Sequence, residues 1–165
     1  MRDQIATAIK NHGARYVEIR LEQNEGTYMR YRGDSLEDLG KISGVGGNVR
    51  ALDRGGWGFA SFNDLTQLQE KVATAVSHAR HVAGRSISLA EIEPRVDVVP
   101  PVIHDDPKYI SLEEKKRIIS EYADTMLSVP GVRTCNVGYA DGWRKTILAT
   151  SEGTYIEQQR VDVSM

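Results

Sequence analysis

The chain holds a single cysteine, Cys135, among its 165 residues. It can therefore form no internal disulfide and no thiolate metal cluster, a usage that suits a reducing cytoplasm. No stretch of about eighteen consecutive apolar residues occurs, so no membrane-spanning helix is expected, and the N-terminal "MRDQIATAIKNHG" lacks the apolar run of a signal peptide. Basic residues are not in excess: 21 Lys and Arg stand against 23 Asp and Glu, a formal charge of -2. That balance argues against a nucleic-acid partner, which calls for clustered cations. There is no G-x-S-x-G elbow and no His-Glu pair at helical metal-binding spacing. Prolines number five, four of them between residues 94 and 107.

What is present is ordinary globular material: 40% hydrophobic and 27% charged residues, in a length that buries roughly 70% of its unfolded surface as one domain. Asp3 is placed to cap a short helix with Ile5, Ala8 and Ile9 on one face and Gly13 as its left-handed stop. The period then changes to two. In "ARYVEIRLEQ", Val17, Ile19 and Leu21 alternate with Glu18, Arg20 and Glu22, as in a strand with one wet face. Gly26 is expected to turn this strand into a second one over 27–31, closed by Gly33 and Asp34. The segment "SLEDLGKIS" does not separate strand from loop.

Residues 41–65, "KISGVGGNVRALDRGGWGFASFNDL", concentrate six glycines. A dinucleotide fingerprint requires G-x-G-x-x-G, and Gly44 and Gly46 are followed by Val49 where the third glycine belongs. A phosphate loop requires Gly-Lys-Ser/Thr opening a helix, which is missing. The glycines therefore read as β punctuation: close backbone approach, a bulge, and a hairpin through "RGG". Gly44, Gly46, Gly47, Arg50 and Trp57 are the candidate structural or interaction residues.

Asp64, with Gln67 three residues later, opens the clearest helix, whose stripe is Leu65, Leu68, Val72, Val76, Ala79 and Ala83 and whose stop is Gly84. His78 and His81 fall opposite that stripe and face solvent, without the partners a metal site needs. Residues 85–110 form a Pro-rich connector, and His104, Asp105 and Asp106 in it read as a solvated loop rather than a cation site. Ser111 and Glu114 make a capping box for a third helix, with Leu112, Ile119, Tyr122 and Met126 on its stripe, widened by Ile118, Ala123 and Leu127. Pro130 and Gly131 end it. Three strand-like runs follow, over 132–140, 143–150 and 154–163, with Asp141-Gly142 as a two-residue hairpin turn and "SEG" as a looser one. Cys135 in the first run reads as a buried, inert thiol. The fold class is α+β with mainly antiparallel pairing and about three helices, in the order α-β-β-β-β-α-connector-α-β-β-β. The residues supply neither a catalytic group nor a metal site of their own.

The series "YVEIRLEQ", then "GVGGNVRALDRGGWGFASFNDL", then "VATAVSHARHVAG" resembles the N-terminal region of the TldD/PmbA family of zinc-dependent peptidases, once called modulators of DNA gyrase. The segments G-V-G-x-x-V-R and G-G-W-G-F-A-S carry the resemblance most firmly within 16–84, and "ATSEGTYIEQQR" extends it. It implies a TldD/PmbA-type N-terminal domain over 1–165, divided into an α/β half (1–84), the connector (85–110) and a helix with three strands (111–165). It also implies a parent whose zinc, His-Glu-x-x-x-His motif and further Cys ligand lie in a C-terminal domain absent from this chain; Cys135 does not match that ligand. Since the last residues, "VDVSM", break off inside an alternating pattern, a fragment is expected. By the same resemblance its role is non-catalytic: to pack on the C-terminal catalytic domain of the parent, to help enclose a cavity reached by unfolded peptide substrates, and to pair as a homo- or heterodimer; the single cysteine adds the expectation of a cytoplasmic location. A free-standing protein-binding or assembly module is the alternative, and a nucleotide-using enzyme with an atypical glycine loop is a third reading.

Overall fold

A computed structural model describes residues 1–10, 12–82 and 84–165. Helix α1 (Arg2–Lys10) is followed by strands β1 (Tyr16–Arg32), β2 (Ser35–Asp53) and β3 (Gly56–Phe62). A 3-10 turn (Leu65–Gln67) leads into α2 (Leu68–His81). Strand β4 (Val96–Val99), a second 3-10 turn (Pro107–Tyr109), α3 (Leu112–Leu127), β5 (Asn136–Thr150) and β6 (Tyr155–Ser164) complete the chain. The strands form a six-stranded mixed sheet in the order β3-β2-β1-β5-β6-β4. β2 and β3 run antiparallel, while β4 is parallel to β6. This is the α+β class with three helices, as expected.

Two expected reversals are absent. Gly26 lies inside β1, and Asp141-Gly142 lies inside β5. A type I′ hairpin turn needs positive φ at both central residues, and neither Asp141 nor Gly142 has it. The glycine at 26 serves proximity instead: a Cβ there would overlap the Asp141 carbonyl oxygen and stand 3.3 Å from the Gly142 Cα. The true reversals occur at Gly33 (φ 60), at Arg54-Gly55 (φ 50 and 75) and at Gly153 (φ 101). The Arg54-Gly55 pair closes the β2–β3 hairpin, where Asp53 pairs with Gly56 and Gly47 with Phe62.

The caps hold in modified form. α1 begins at Arg2, so Asp3 sits in its first turn, where its charge suits the helix dipole, and is not the cap. Asp64 caps the 3-10 turn, accepting the Thr66 N–H at 2.8 Å. Ser111 caps α3, accepting the Glu114 N–H at 3.1 Å, but Glu114 turns its carboxylate to Arg117 rather than back to the cap. Ala83, expected at the end of the α2 stripe, lies outside the described residues.

The chain divides into two compact units, each built of three segments. Unit 1 comprises 1–23, 44–100 and 145–158. Its core joins Ile5, Ala8 and Ile9 of α1 and Leu68, Val72, Ala75, Val76 and Ala79 of α2 to Val17, Ile19, Leu21, Val49, Ala51 and Ile147 of the strands. α2 lies flat on β3 because the contact residues are small: a Cβ at Gly58 would overlap the Ala75 carbonyl. Unit 2 comprises 24–43, 101–144 and 159–165, with Met29, Tyr31, Ile119, Ala123, Val137 and Tyr139 at its core. On α3 the buried positions are Lys115, Ile119 and Ala123, whereas Tyr122 is 50% exposed and Leu112 and Met126 are exposed as well. The buried stripe is rotated from the apolar one because the Lys115 ammonium finds Asp141 at 2.6 Å, which lets a cation occupy a core position.

Candidate functional site

In unit 1 the alternation of β1 decides what each side of the sheet offers. Val17, Ile19 and Leu21 go to the helices, so Glu18, Arg20 and Glu22 lie on the side turned away from α1 and α2. Glu18 is only 7% exposed there. Its carboxylate accepts the Tyr16 hydroxyl at 3.0 Å, the Arg20 Nε at 3.1 Å and an Arg50 Nη at 3.3 Å. The Arg50 guanidinium lies 4.6 Å from the centre of the Trp57 ring, and Trp57 meets Tyr16 edge to face at 6.1 Å. Burial, then the neighbouring Glu18 carboxylate, pushes the Tyr16 hydroxyl up to about 12. Two of the residues singled out from sequence, Arg50 and Trp57, are thus brought together, and the group that ties Arg50 to Tyr16, Glu18, was missed. Its signal in the sequence was an acidic residue between two apolar ones, which is equally the signal of a solvated strand face.

Beside this cluster the sheet forms an open groove of about 680 Å³. Gly46 and Gly47 of β2 form its floor next to Arg20, and Phe59, Leu148 and Ile156 give it apolar walls. Asn48, Ser61, Thr146 and Gln158 add groups able to donate and accept hydrogen bonds. Phe59 is 54% exposed. The two glycines differ in kind. A Cβ on Gly47 would overlap the Arg20 carbonyl and lie 2.5 Å from Phe62 Cζ, whereas one on Gly46 would meet nothing nearer than the Phe62 carbonyl oxygen at 3.4 Å. Gly44 lies exposed in β2, away from the groove lining. Since Gly44, Gly46 and Gly47 all lie within β2 and open no helix, they have no phosphate-loop geometry.

The remaining candidates do not converge. The His78 and His81 rings are exposed, each with Nδ1 engaged on a backbone carbonyl, of Phe59 at 3.0 Å and of Ser77 at 2.7 Å. Asp106 caps the Pro107–Tyr109 turn through the Lys108 N–H at 2.9 Å, while His104 and Asp105 stay exposed. Cys135 is half-buried, its thiol 3.8 Å from the Ala123 carbonyl oxygen and 3.9 Å from that of Gly33. Among the described residues no three His, Cys, Asp or Glu side chains assemble into a group able to hold a metal. No described helix is long and apolar enough to cross a membrane.

Comparison with known proteins points to one family. Residues 17–83 match the family model described as PmbA/TldA metallopeptidase domain 1, and residues 105–165 match the PmbA/TldA metallopeptidase central domain. The chain belongs to the TldD/PmbA family. A Synechocystis protein named as a metalloprotease is 39% identical over 154 residues, an alignment spanning 92% of this chain and 33% of the relative. A metalloprotease of Methanothermobacter thermautotrophicus is 25% identical over 150 residues, spanning 91% and 33%. The fold recurs in a putative modulator of DNA gyrase from Thermotoga maritima (TM-score 0.76, 15% identity, 98% of this chain and 37% of that one). It recurs also in TldE from Thermococcus kodakarensis (TM-score 0.73, 13% identity, 99% and 37%). The chain thus spans about one third of the length of the curated relatives it matches. The family name implies a metal, and the donor set described here does not fit one.

Proposed function

We propose that this chain is the non-catalytic part of a TldD/PmbA-type zinc metallopeptidase that acts on unfolded peptides. In this reading it holds an extended substrate and helps to enclose it, while zinc and the hydrolytic step belong to another domain of the parent, whose subunits pair as homo- or heterodimers in the cytoplasm. The observation that carries the reading is the groove of unit 1. Its floor carries no side chain at Gly46, so an extended backbone can approach the sheet closely, with Asn48, Ser61, Thr146 and Gln158 available to its amides and Phe59 to its side chains.

The test uses this chain and an unstructured twelve-residue peptide, acetylated and amidated so that neither end is charged. Titration followed by NMR is expected to shift the amides of Gly46, Gly47 and Asn48, and Gly46→Leu, which fills the groove where there is space, is expected to weaken binding at least fivefold. No cleavage is expected with added zinc. Equal binding by Gly46→Leu, chelator-sensitive hydrolysis of the peptide, or stoichiometric zinc on the purified chain would each overturn the proposal.

A free-standing assembly module is the second reading, favoured by β4. All four of its residues are exposed at a sheet edge, including Val96, Val98 and Val99. Concentration-dependent sedimentation of the chain, abolished by Val98→Lys, would support it.

A further inference from the structure

Unit 2 contains a second cavity, of about 360 Å³, that the groove reading does not use. Strands β1, β2, β5 and β6, the Pro107–Tyr109 turn and α3 all contribute to its wall. Its acidic groups are already engaged. Glu25 holds the Lys108 ammonium at 3.2 Å, and Asp106 accepts the Lys108 N–H. Asp141, 9% exposed, accepts from Lys115 at 2.6 Å, from the Tyr139 hydroxyl at 2.7 Å and from the Thr27 N–H at 3.1 Å.

The unused polar capacity is of the opposite kind. The Lys115 ammonium, with its side chain 6% exposed, carries three N–H donors, of which Asp141 takes one. Lys41 has no ion pair, and Ser43 has no side-chain hydrogen bond, among the described residues. The rest of the wall is apolar: the Trp143 ring, with the Lys108 ammonium 5.8 Å from its centre, together with Ile42, Pro107 and Val161. A buried ion pair contributes little to stability over apolar residues of equal volume, so its place on a cavity wall calls for a reason beyond the fold.

We propose that this cavity binds a carboxylate carried on an apolar or aromatic group, through Lys41, Lys115 and Ser43 with Trp143 as the flat wall. That chemistry is shared by the C-terminal residue of a peptide and by a free aryl-alkanoic acid. The volume lies at the small end of ligand sites and suits one or two residues rather than a folded chain. Three lysines face three carboxylates in the lining, so selectivity arises from spare donors rather than from net charge.

The experiment is a titration of Trp143 fluorescence in a Trp57→Phe background, which leaves one tryptophan. The probes are N-acetyl-Ala-Phe with a free C-terminal carboxylate, the same dipeptide as its amide, and 3-phenylpropionate. Saturable binding of the acid dipeptide, at least tenfold weaker binding of the amide, and at least fivefold weakening by Lys41→Gln with an unchanged melting temperature are expected. Binding of phenylpropionate but not of the dipeptide acid would support the carboxylate site and assign it to a free acid. Equal affinity for acid and amide, no effect of Lys41→Gln, or no saturable binding of any probe would overturn the proposal. The end-blocked peptide used for the groove carries no carboxylate terminus, so failure here and failure there are distinguishable.

Discussion

Replacing Gly47 by alanine adds one methyl group at a point where two strands and an aromatic ring already meet. The new Cβ would stand 2.5 Å from Phe62 Cζ and 3.1 Å from Leu21 Cα, with the Arg20 carbonyl oxygen nearer still. Ordinary contact between such atoms begins near 3.4 Å. Phe62 must therefore withdraw by roughly an ångström, and it is 6% exposed inside the core, so it has no solvent to move into. The Arg20 carbonyl belongs to the backbone of β1 and yields only if that strand shifts. Overpacking of this kind costs about 1–3 kcal/mol, less a gain of about 0.5–1 kcal/mol from the reduced freedom of the unfolded chain, and the backbone contact places Gly47→Ala at the upper end, about 2 kcal/mol net. Gly46→Ala serves as the control, since its Cβ stays at 3.4 Å from the Phe62 carbonyl oxygen. Trp57 lies in unit 1 and Trp143 in unit 2, so urea melts in a Trp143→Phe background report on unit 1. With a urea slope of about 1–3 kcal/mol per molar, Gly47→Ala is expected to lower the midpoint by about 1 M while Gly46→Ala leaves it within about 0.3 M. Equal midpoints for the two variants would refute the argument that Gly47 is a glycine for reasons of space.

Two further outcomes test the electrostatics. Lys115→Met leaves Asp141 buried beside Tyr139 without its cation and is expected to destabilise unit 2 by about 3–5 kcal/mol; in the Lys115→Met/Asp141→Leu double variant at least half of that is expected to return, measured by Trp143 fluorescence in urea, and a double variant no better than the single one would contradict the pairing. Asp53 is held below its ordinary value of 3.8, first by its hydrogen bond from Arg80 at 2.7 Å. Because the folded value is the depressed one, the stabilisation is present above 3.8 and is lost as pH falls through the lower folded value. The stability advantage of the native chain over Asp53→Asn is accordingly expected to be full at pH 6 and to vanish near pH 2, and an advantage independent of pH would show that the ion pair is not its source.

Much of the local structure was legible because it rests on neighbours in the chain. The 3.6-residue stripe Leu68, Val72, Val76 and Ala79 marked α2, the alternation of Val17, Ile19 and Leu21 marked the buried side of β1, and Arg54-Gly55 marked the hairpin. The candidate site was legible in part. The glycines at 44, 46 and 47, expected as β punctuation, lie within β2, yet whether Gly46 and Gly47 are required depends on Arg20 and Phe62, which the local pattern cannot place. Asp141-Gly142 misled for the same reason. A dipeptide that favours turning was held straight by Lys115, Tyr139 and Thr27, partners up to 114 residues away.

The sequence alone determined the class of fold, its three helices and the family resemblance, because periodicity, caps and motifs are properties of short segments. Tertiary structure alone decided that Gly26 and Gly142 mark strand contact rather than turns, that Lys115 occupies a core position of α3, and that Glu18 joins Arg50 to Tyr16 beside Trp57. Each of these depends on a charge, a carbonyl or a ring arriving from a distant part of the chain, and such an encounter leaves no periodic trace in either partner.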